Sequence, residues 1–411
     1  MSRVELPGAQ PPFNSVNSET RPATENSGNA NNRLWGFFAW LGYFVCTVIL
    51  VIVFLDIGAR IVLAVRPHFK QPTVTDIVPQ NPAYAAFPWA AECMKEQVAR
   101  QKDTYFYFPF RLWGLAESHG NCINDDASDL GVVRRTINPP NPACADHPKI
   151  KVWVLGGSAV YGTLIPDWAT LPSSLSRALN TSSRCVEVTN LGVEGYVSSQ
   201  ELLYLIEKLK AGHIPDVVIF YDGFNDADAG TSPAGPSAHL RYVTMKRRME
   251  SGLATQSDFL RHFAIARLVE DLSRPLGRTL PRVSSDQLPE RATATLDNYA
   301  ENLKIARKLG EAYGFKVCAF WQPALIYGHK PPVAYEQQFL DLAAKPAYSF
   351  LPLAPVYREA EKRAQTGQFV FLGNIFDSQP QPIYLDWVHL NPNGNEIVAS
   401  TVAVHLEECF Q

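Results

Sequence analysis

Lys149-Ile150-Lys151-Val152-Trp153-Val154-Leu155-Gly156-Gly157-Ser158 decides the fold. Five of the six residues from Ile150 to Leu155 are apolar, and three of those are β-branched. A short, nearly unbroken apolar run closed by paired glycines reads as a strand buried on both faces, the kind found in parallel sheets covered by helices. The same punctuation recurs downstream. Cys185–Asn190 is strand-like, Asp216–Tyr221 (DVVIFY) is a continuous apolar strand, Phe315–Trp321 is another, and Phe369–Phe376 is a weaker one. Helical patterns alternate with them. One runs over Leu171–Leu179 behind a Thr170 cap. A second extends from the capping box Ser198-Ser199-Gln200-Glu201 to Lys210, and a third covers Ala292–Tyr313 with Gly314 as its stop. Asn391-Pro392-Asn393-Gly394 breaks the chain before a last helix through Leu406. Alternation of this kind predicts an α/β domain over residues 150–411. Ala227–Arg291 interrupts it with ten Lys/Arg against seven Asp/Glu, and reads as an inserted, partly helical cap.

Toward the N-terminus the pattern dissolves. Residues 56–149 form a juxtamembrane and lead-in region with one predicted helix at Ala90–Gln101. It also holds an aromatic cluster, Tyr105 to Phe110, that suits packing on a neighbouring surface, and polar loops around Asn121–Asp126. Before it stands Leu34–Leu55, 22 residues without a charge, enough to cross about 30 Å of hydrocarbon as a single transmembrane helix. Trp35 and Trp40 sit where interfacial rings are comfortable. The run is longer than a signal peptide's apolar core, and 33 residues precede it. Its helix is expected to continue through Asp56 to Val65 until Pro67 ends it. Residues 1–33, rich in Asn, Ser and Pro, read as a disordered tail.

At 411 residues the chain can bury a core without staples, and a net charge of −3 leaves no electrostatic footprint for nucleic acid. Basic residues flank the apolar span about equally, so the positive-inside rule does not orient it. The cysteines do more. One of seven, Cys46, lies in the span; the other six contain no CxxC and no zinc spacing, so no structural metal is read from them. An even set in polar loops suits an oxidising compartment and an extracytoplasmic domain, with at least one disulfide among Cys93, Cys122 and Cys144. Cys318, in an apolar run, reads as a free thiol.

In open parallel sheets ligands bind beyond the carboxyl ends of the strands. The residues there are Gly156-Gly157-Ser158 after the first strand, Asn190 to Gly195 after the second and Asp222-Gly223-Phe224-Asn225-Asp226 after the third. Asp386-Trp387-Val388-His389 precedes the last helix. Taken singly these are ordinary: a Gly-Gly-Ser turn, a glycine with positive φ, an asparagine in a turn, a surface histidine. No phosphate loop or dinucleotide fingerprint is present, Val160 stands where a nucleophile elbow needs glycine, and no cofactor is called for. Together they supply a nucleophile, oxyanion donors, and a base with its orienter.

That combination resembles the SGNH/GDSL hydrolase superfamily, whose four blocks carry Ser, Gly, Asn and His with an Asp three residues before the His. The matching residues here are Ser158 in VLGGSAVYG, Gly195 in NLGVEGY, Asn225 in DGFND, and Asp386 and His389 in DWVHLNPNG. Gly157 occupies the place of the family's name-giving Asp. The resemblance covers roughly residues 150–226 and 383–408, and implies a flavodoxin-like three-layer α/β/α sandwich. It also implies a catalytic set of Ser158, Asp386 and His389, with an oxyanion hole from the Ser158 and Gly195 N–H groups and the Asn225 amide. The function it implies is a membrane-anchored serine ester hydrolase acting on a small-molecule or glycan ester through an acyl-serine. Two alternatives stay open: an O-acyltransferase or O-acetylesterase acting on an extracytoplasmic glycan, and a non-catalytic binding or assembly protein that retains the fold.

Overall fold

The computed structural model describes residues 27–65, 78, 81–85, 87–100, 105–181, 183–250, 263–266, 268, 282–345 and 349–410. Most of the expected tail, Pro67 and a large part of the cap lie outside them. Seven strands among these residues form one sheet: β1 (Asp125–Ser128), β2 (Gly131–Arg134), β3 (Ile150–Gly156), β4 (Val186–Gly192), β5 (Val217–Asp222), β6 (Lys316–Trp321) and β7 (Val370–Phe371). Their order is β1-β2-β4-β3-β5-β6-β7. The last five are parallel and run second-first-third-fourth-fifth, the order of doubly wound flavodoxin-like sheets.

The helices are α1 (Ser27–Val65), α2 (Ala90–Arg100), α3 (Ser158–Tyr161), α4 (Leu171–Leu179), α5 (Ser198–Lys210), α6 (Phe224–Gly230), α7 (Tyr242–Glu250), α8 (Leu288–Tyr313), α9 (Ala334–Ala343), α10 (Ala354–Ala364) and α11 (Pro392–Phe410). The crossover β3-α4-β4 moves one way along the sheet and β4-α5-β5 moves back. Right-handed crossovers therefore put α4 and α5 on opposite faces. α11 packs beside α4, while α8 packs beside α5 and α10, completing the two outer layers. β5 is buried from end to end, as its unbroken apolar run requires.

The structure amends the reading of the sequence in three places. The polar stretch at Asp125–Arg134 is a hairpin that joins the sheet antiparallel to β4 through Arg134 and Asn190, so the sheet is mixed at that edge. With Val132 and Val133 as its adjacent apolar pair, the hairpin carries too little alternation to register as strand. The Ser198–Glu201 capping box does not form. Val197 is the N-cap, Ser198 Oγ donates instead to Asp226 Oδ1 at 2.6 Å, and Glu201 is fully buried. The disulfide expected within the cysteine trio forms as Cys93–Cys122, and Cys144 pairs outside it with Cys185. Cys318 is disulfide-bonded as well, since burial hides a sulfur from solvent but not from a second sulfur packed against it. Other expectations stand: Thr170 Oγ1 caps α4 by accepting from Ser173 N, and Gly314 ends α8 at φ 84°.

α1 holds a stretch, Arg33–Leu63, long and apolar enough to cross a membrane. Its 31 residues span about 46 Å at 1.5 Å per residue.

The two mapped disulfides close loops with sequence separations of 29 and 41. Replacing Cys144 and Cys185 together by Ser should cost about 4 kcal/mol, by releasing the denatured chain from the longer loop. Urea unfolding of the variant against the parent measures this, and unreduced peptide mapping should return both pairs.

Candidate functional site

The site lies where the sheet changes direction, between the carboxyl ends of β3 and β5. Gly156 pairs level with Gly192 of β4 and Tyr221 of β5, so the three chains leave the sheet side by side. Ser158 is the first residue of α3, and N–H groups at that position have no partner within a helix. The helix is tied to the next strand by Asn190, whose Nδ2 donates to Val160 O at 2.8 Å while its Oδ1 accepts from Gly192 N.

The loop after β4 turns tightly. Val193 N donates to Gly156 O, Tyr196 N donates to Val193 O, and Gly195 between them holds φ 76°, a conformation that disfavours any side chain. After β5, the Asn225 side chain reaches back across both loops. Its Nδ2 donates one hydrogen to Tyr196 O at 2.7 Å and keeps a second. A Cβ on Gly157 would come within 2.3 Å of that nitrogen. Glycine at position 157 thus leaves room for the Asn225 amide beside the serine turn.

Asp386 and His389 occupy the loop before α11. His389 Nδ1 lies 2.6 Å from Asp386 Oδ2, and Asp386 Oδ1 accepts the N–H groups of Val388 and His389, each at 2.9 Å. Burial alone would raise the Asp386 carboxyl, but the His389 ring and these two amides hold it below the usual range. Burial would lower His389. The Asp386 charge and hydrogen bond outweigh it, and Glu194 adds in the same sense, so the imidazole is held above its ordinary value. His389 Nε2 is buried and makes no hydrogen bond, so the serine–imidazole bond is not formed in this state. Such bonds often close only with substrate in place.

Residues that the sequence did not single out brace these loops. Trp113 Nε1 donates to Glu194 O at 3.0 Å, and the Tyr196 hydroxyl donates to Trp113 O. Arg111 donates to the Tyr196 hydroxyl at 2.9 Å and pairs with Glu207 at 2.6 Å. The Glu194 carboxylate accepts from Thr163 Oγ1 and from Gln97 Nε2 of α2. Behind Asn225, Glu201, Asp222 and Asp226 share one buried region. Burial pushes Asp226 up to about 6 against the hydrogen bonds from Ser198, and burial with neighbouring carboxylates raises the other two. The His389 loop leans on Glu336, which is fully buried and pairs with Lys330 at 2.6 Å. It also accepts the N–H groups of Ile383 and Tyr384. Nothing local marks these residues. An arginine in an aromatic loop and a glutamate in a helix are common, and only contacts across the fold reveal them.

Glu336→Ala removes one member of a buried ion pair and orphans three backbone donors, those of Val333, Ile383 and Tyr384. It should cost about 3 kcal/mol or more, read as a lowered urea midpoint.

No protein-family model matches the sequence, and no curated protein matches it. Solved structures do. An acetyl xylan esterase, AlAXEase, is similar at 14% identity and TM-score 0.36, over 62% of this chain and 100% of its own. Est24, a carbohydrate acetylesterase from Sinorhizobium meliloti, is similar at 14% identity and TM-score 0.35, over 63% of this chain and 99% of its own. TesA is similar at 16% identity and TM-score 0.33, over 63% and 99%.

Proposed function

We propose that this protein is a serine ester hydrolase of the SGNH/GDSL type, anchored to a membrane by α1, with its catalytic domain on the extracytoplasmic side. The observation that carries the reading is the meeting of three strand ends in one contact: Gly157, the Asn225 amide and Tyr196 O around Ser158. The Asp386–His389 pair supports it as well, with its Nε2 uncommitted and the charge of Glu194, from the Gly195 loop, acting on the ring. The disulfides suit the compartment, and the exposed apolar length of α1 suits the anchor.

The chemistry follows from these groups. Ser158 Oγ attacks the ester carbon as its proton passes to His389 Nε2. Asp386, accepting Nδ1–H, keeps the ring in the tautomer whose Nε2 can take that proton and stabilises the imidazolium that results. Charge on the carbonyl oxygen is met by the N–H groups of Ser158 and Gly195 and by the free hydrogen of the Asn225 amide. Tyr196 O has already oriented that amide, so little reorganisation accompanies the reaction. The imidazolium then protonates the departing alcohol as the carbon–oxygen bond breaks. A water molecule, deprotonated by the same ring, releases the acid and restores the serine. The substrate is an acyl ester of a small molecule or glycan.

Ser158→Ala and His389→Ala should each lower turnover of p-nitrophenyl acetate by about 10³-fold or more, and a serine-directed phosphonate should label the parent but not Ser158→Ala. Asn225→Ala should lower kcat by roughly 10²–10³ with little change in KM. Full activity and labelling in Ser158→Ala would overturn the reading.

The pH profile is an independent check. Only the neutral imidazole accepts a proton, and His389 is held above its ordinary value, so kcat/KM should fall as pH drops through a point above the usual histidine range. Asp386→Asn removes the charge most responsible. The residual activity of that variant should therefore persist to lower pH than the parent's.

A further inference from the structure

The chain that leaves α3 is strained. Gly162 and Leu164 both hold left-handed backbone, at φ 85° and 73°, and a leucine keeps that conformation only where its surroundings impose it. What imposes it here is a set of hydrogen bonds around Thr163. Gly162 N and Thr163 N both donate to Ser158 O, closing the short helix on the serine's own carbonyl. The Tyr84 hydroxyl donates to Leu164 O at 2.8 Å, and Leu164 N donates to Gln97 Oε1 at 3.5 Å. The Thr163 hydroxyl donates to Glu194 Oε1, and the same oxygen accepts from Gln97 Nε2 at 3.3 Å.

One carboxylate oxygen thus ties together three elements: the turn behind Ser158, the loop after β4, and α2, which the Cys93–Cys122 bond fastens to the lead-in region. Hydrogen bonds to a charged acceptor are the stronger kind. The place of Glu194 in the chain matters as much. It immediately precedes Gly195, and its own carbonyl accepts from Trp113 Nε1 at 3.0 Å. Ser158 and Gly195 present their N–H groups from different loops. At their base these loops are joined by Val193 N donating to Gly156 O; beyond it, the Thr163–Glu194 bond joins them again.

We propose that Glu194 is a positioning residue for the reaction: by accepting Thr163 and Gln97 on one oxygen, it fixes the spacing between the Ser158 and Gly195 N–H groups. The inference rests on the esterase reading and its oxyanion donors, and adds the group that holds two of those donors in step. Donors out of place lose little in the ground state. They lose much where charge develops on the carbonyl oxygen, so the cost of releasing them falls on kcat.

The test measures p-nitrophenyl acetate hydrolysis by the full chain, with kcat expressed per serine titrated by a phosphonate. Rates are taken at a pH above the acid limb, where His389 is neutral in every variant and the lost charge of Glu194 does not change how much base is present. Thr163→Val removes the donor at nearly constant shape, and should lower kcat about tenfold with KM held within about twofold. Glu194→Ala should lower kcat at least as far. An amide oxygen can accept both bonds that Glu194 Oε1 accepts, so Glu194→Gln should recover most of that loss. Adding Thr163→Val to Glu194→Ala should cost nothing further, because the bond is already gone. Parent kcat in Thr163→Val, a raised KM in place of a lowered kcat, or Glu194→Gln as slow as Glu194→Ala would each overturn the proposal. So would variants that yield fewer titratable serines at an unchanged kcat, the mark of a purely structural role. Should Glu194→Ala fail to fold, Thr163→Val decides alone. A parent inactive on the ester would refute the esterase reading itself, and this proposal with it.

Discussion

The level register of β3 with its two neighbours is the constraint on which the site depends. Because Gly156 pairs with Gly192 on one side and Tyr221 on the other, three chains turn away from the sheet at the same height. Parallel strands all present their carboxyl ends to one side, and the reversal of winding at β3 leaves a crevice there that no crossover helix fills. An asparagine 67 positions beyond Ser158 comes to hydrogen-bond the turn that carries Gly195, and to lie against Gly157, for that reason alone. A slip of one residue in either pairing would carry the Asn225 amide away from Tyr196 O and turn every side chain of the strand to the opposite face.

Holding these loops still requires polar groups deep in the protein. Glu336 gathers Lys330 and two backbone amides under the His389 loop, and Asp226 gathers Ser198 under the Asn225 helix. Arg134 and Asp167 pair at 3.0 Å beside the segment that follows Ser158. Each such group is costly to bury and more costly to leave unpaired, so the arrangements they permit are few. The lead-in region takes part as fully as the sheet. Arg111, Trp113 and Gln97 all close on the loop that carries Gly195, and α2 is itself pinned by the Cys93–Cys122 bond. The region before β3 is thus a brace for the site as well as a connection to α1.

The cap meets the Gly195 loop through Leu240 and α1 through Ile265, and both contacts belong to one insertion between β5 and α8. Insertions at strand ends of α/β folds are free to vary because they lie outside the core, and this one takes its meaning from what it touches at both ends.

What the sequence determined by itself is what local pattern encodes. Unbroken apolar runs such as Val217–Tyr221 announce strands that must be covered on both faces, and the uncharged length of Leu34–Leu55 announces a long apolar helix. The candidate site residues were legible because their places at strand ends follow from the alternation, and because Asp386 and His389 are neighbours in the chain. The tertiary structure alone decided the rest. A polar hairpin at Asp125–Arg134 became sheet because a neighbouring strand edge offered partners, which overrides weak propensity. Ser198 and Glu201 gave up a capping box because burial beside Asp226 and Asp222 set a different use for them. Cys144 chose Cys185 over nearer cysteines because β3 and β4 start side by side. Pairings of this kind depend on distances across the fold, and no spacing along the chain contains them.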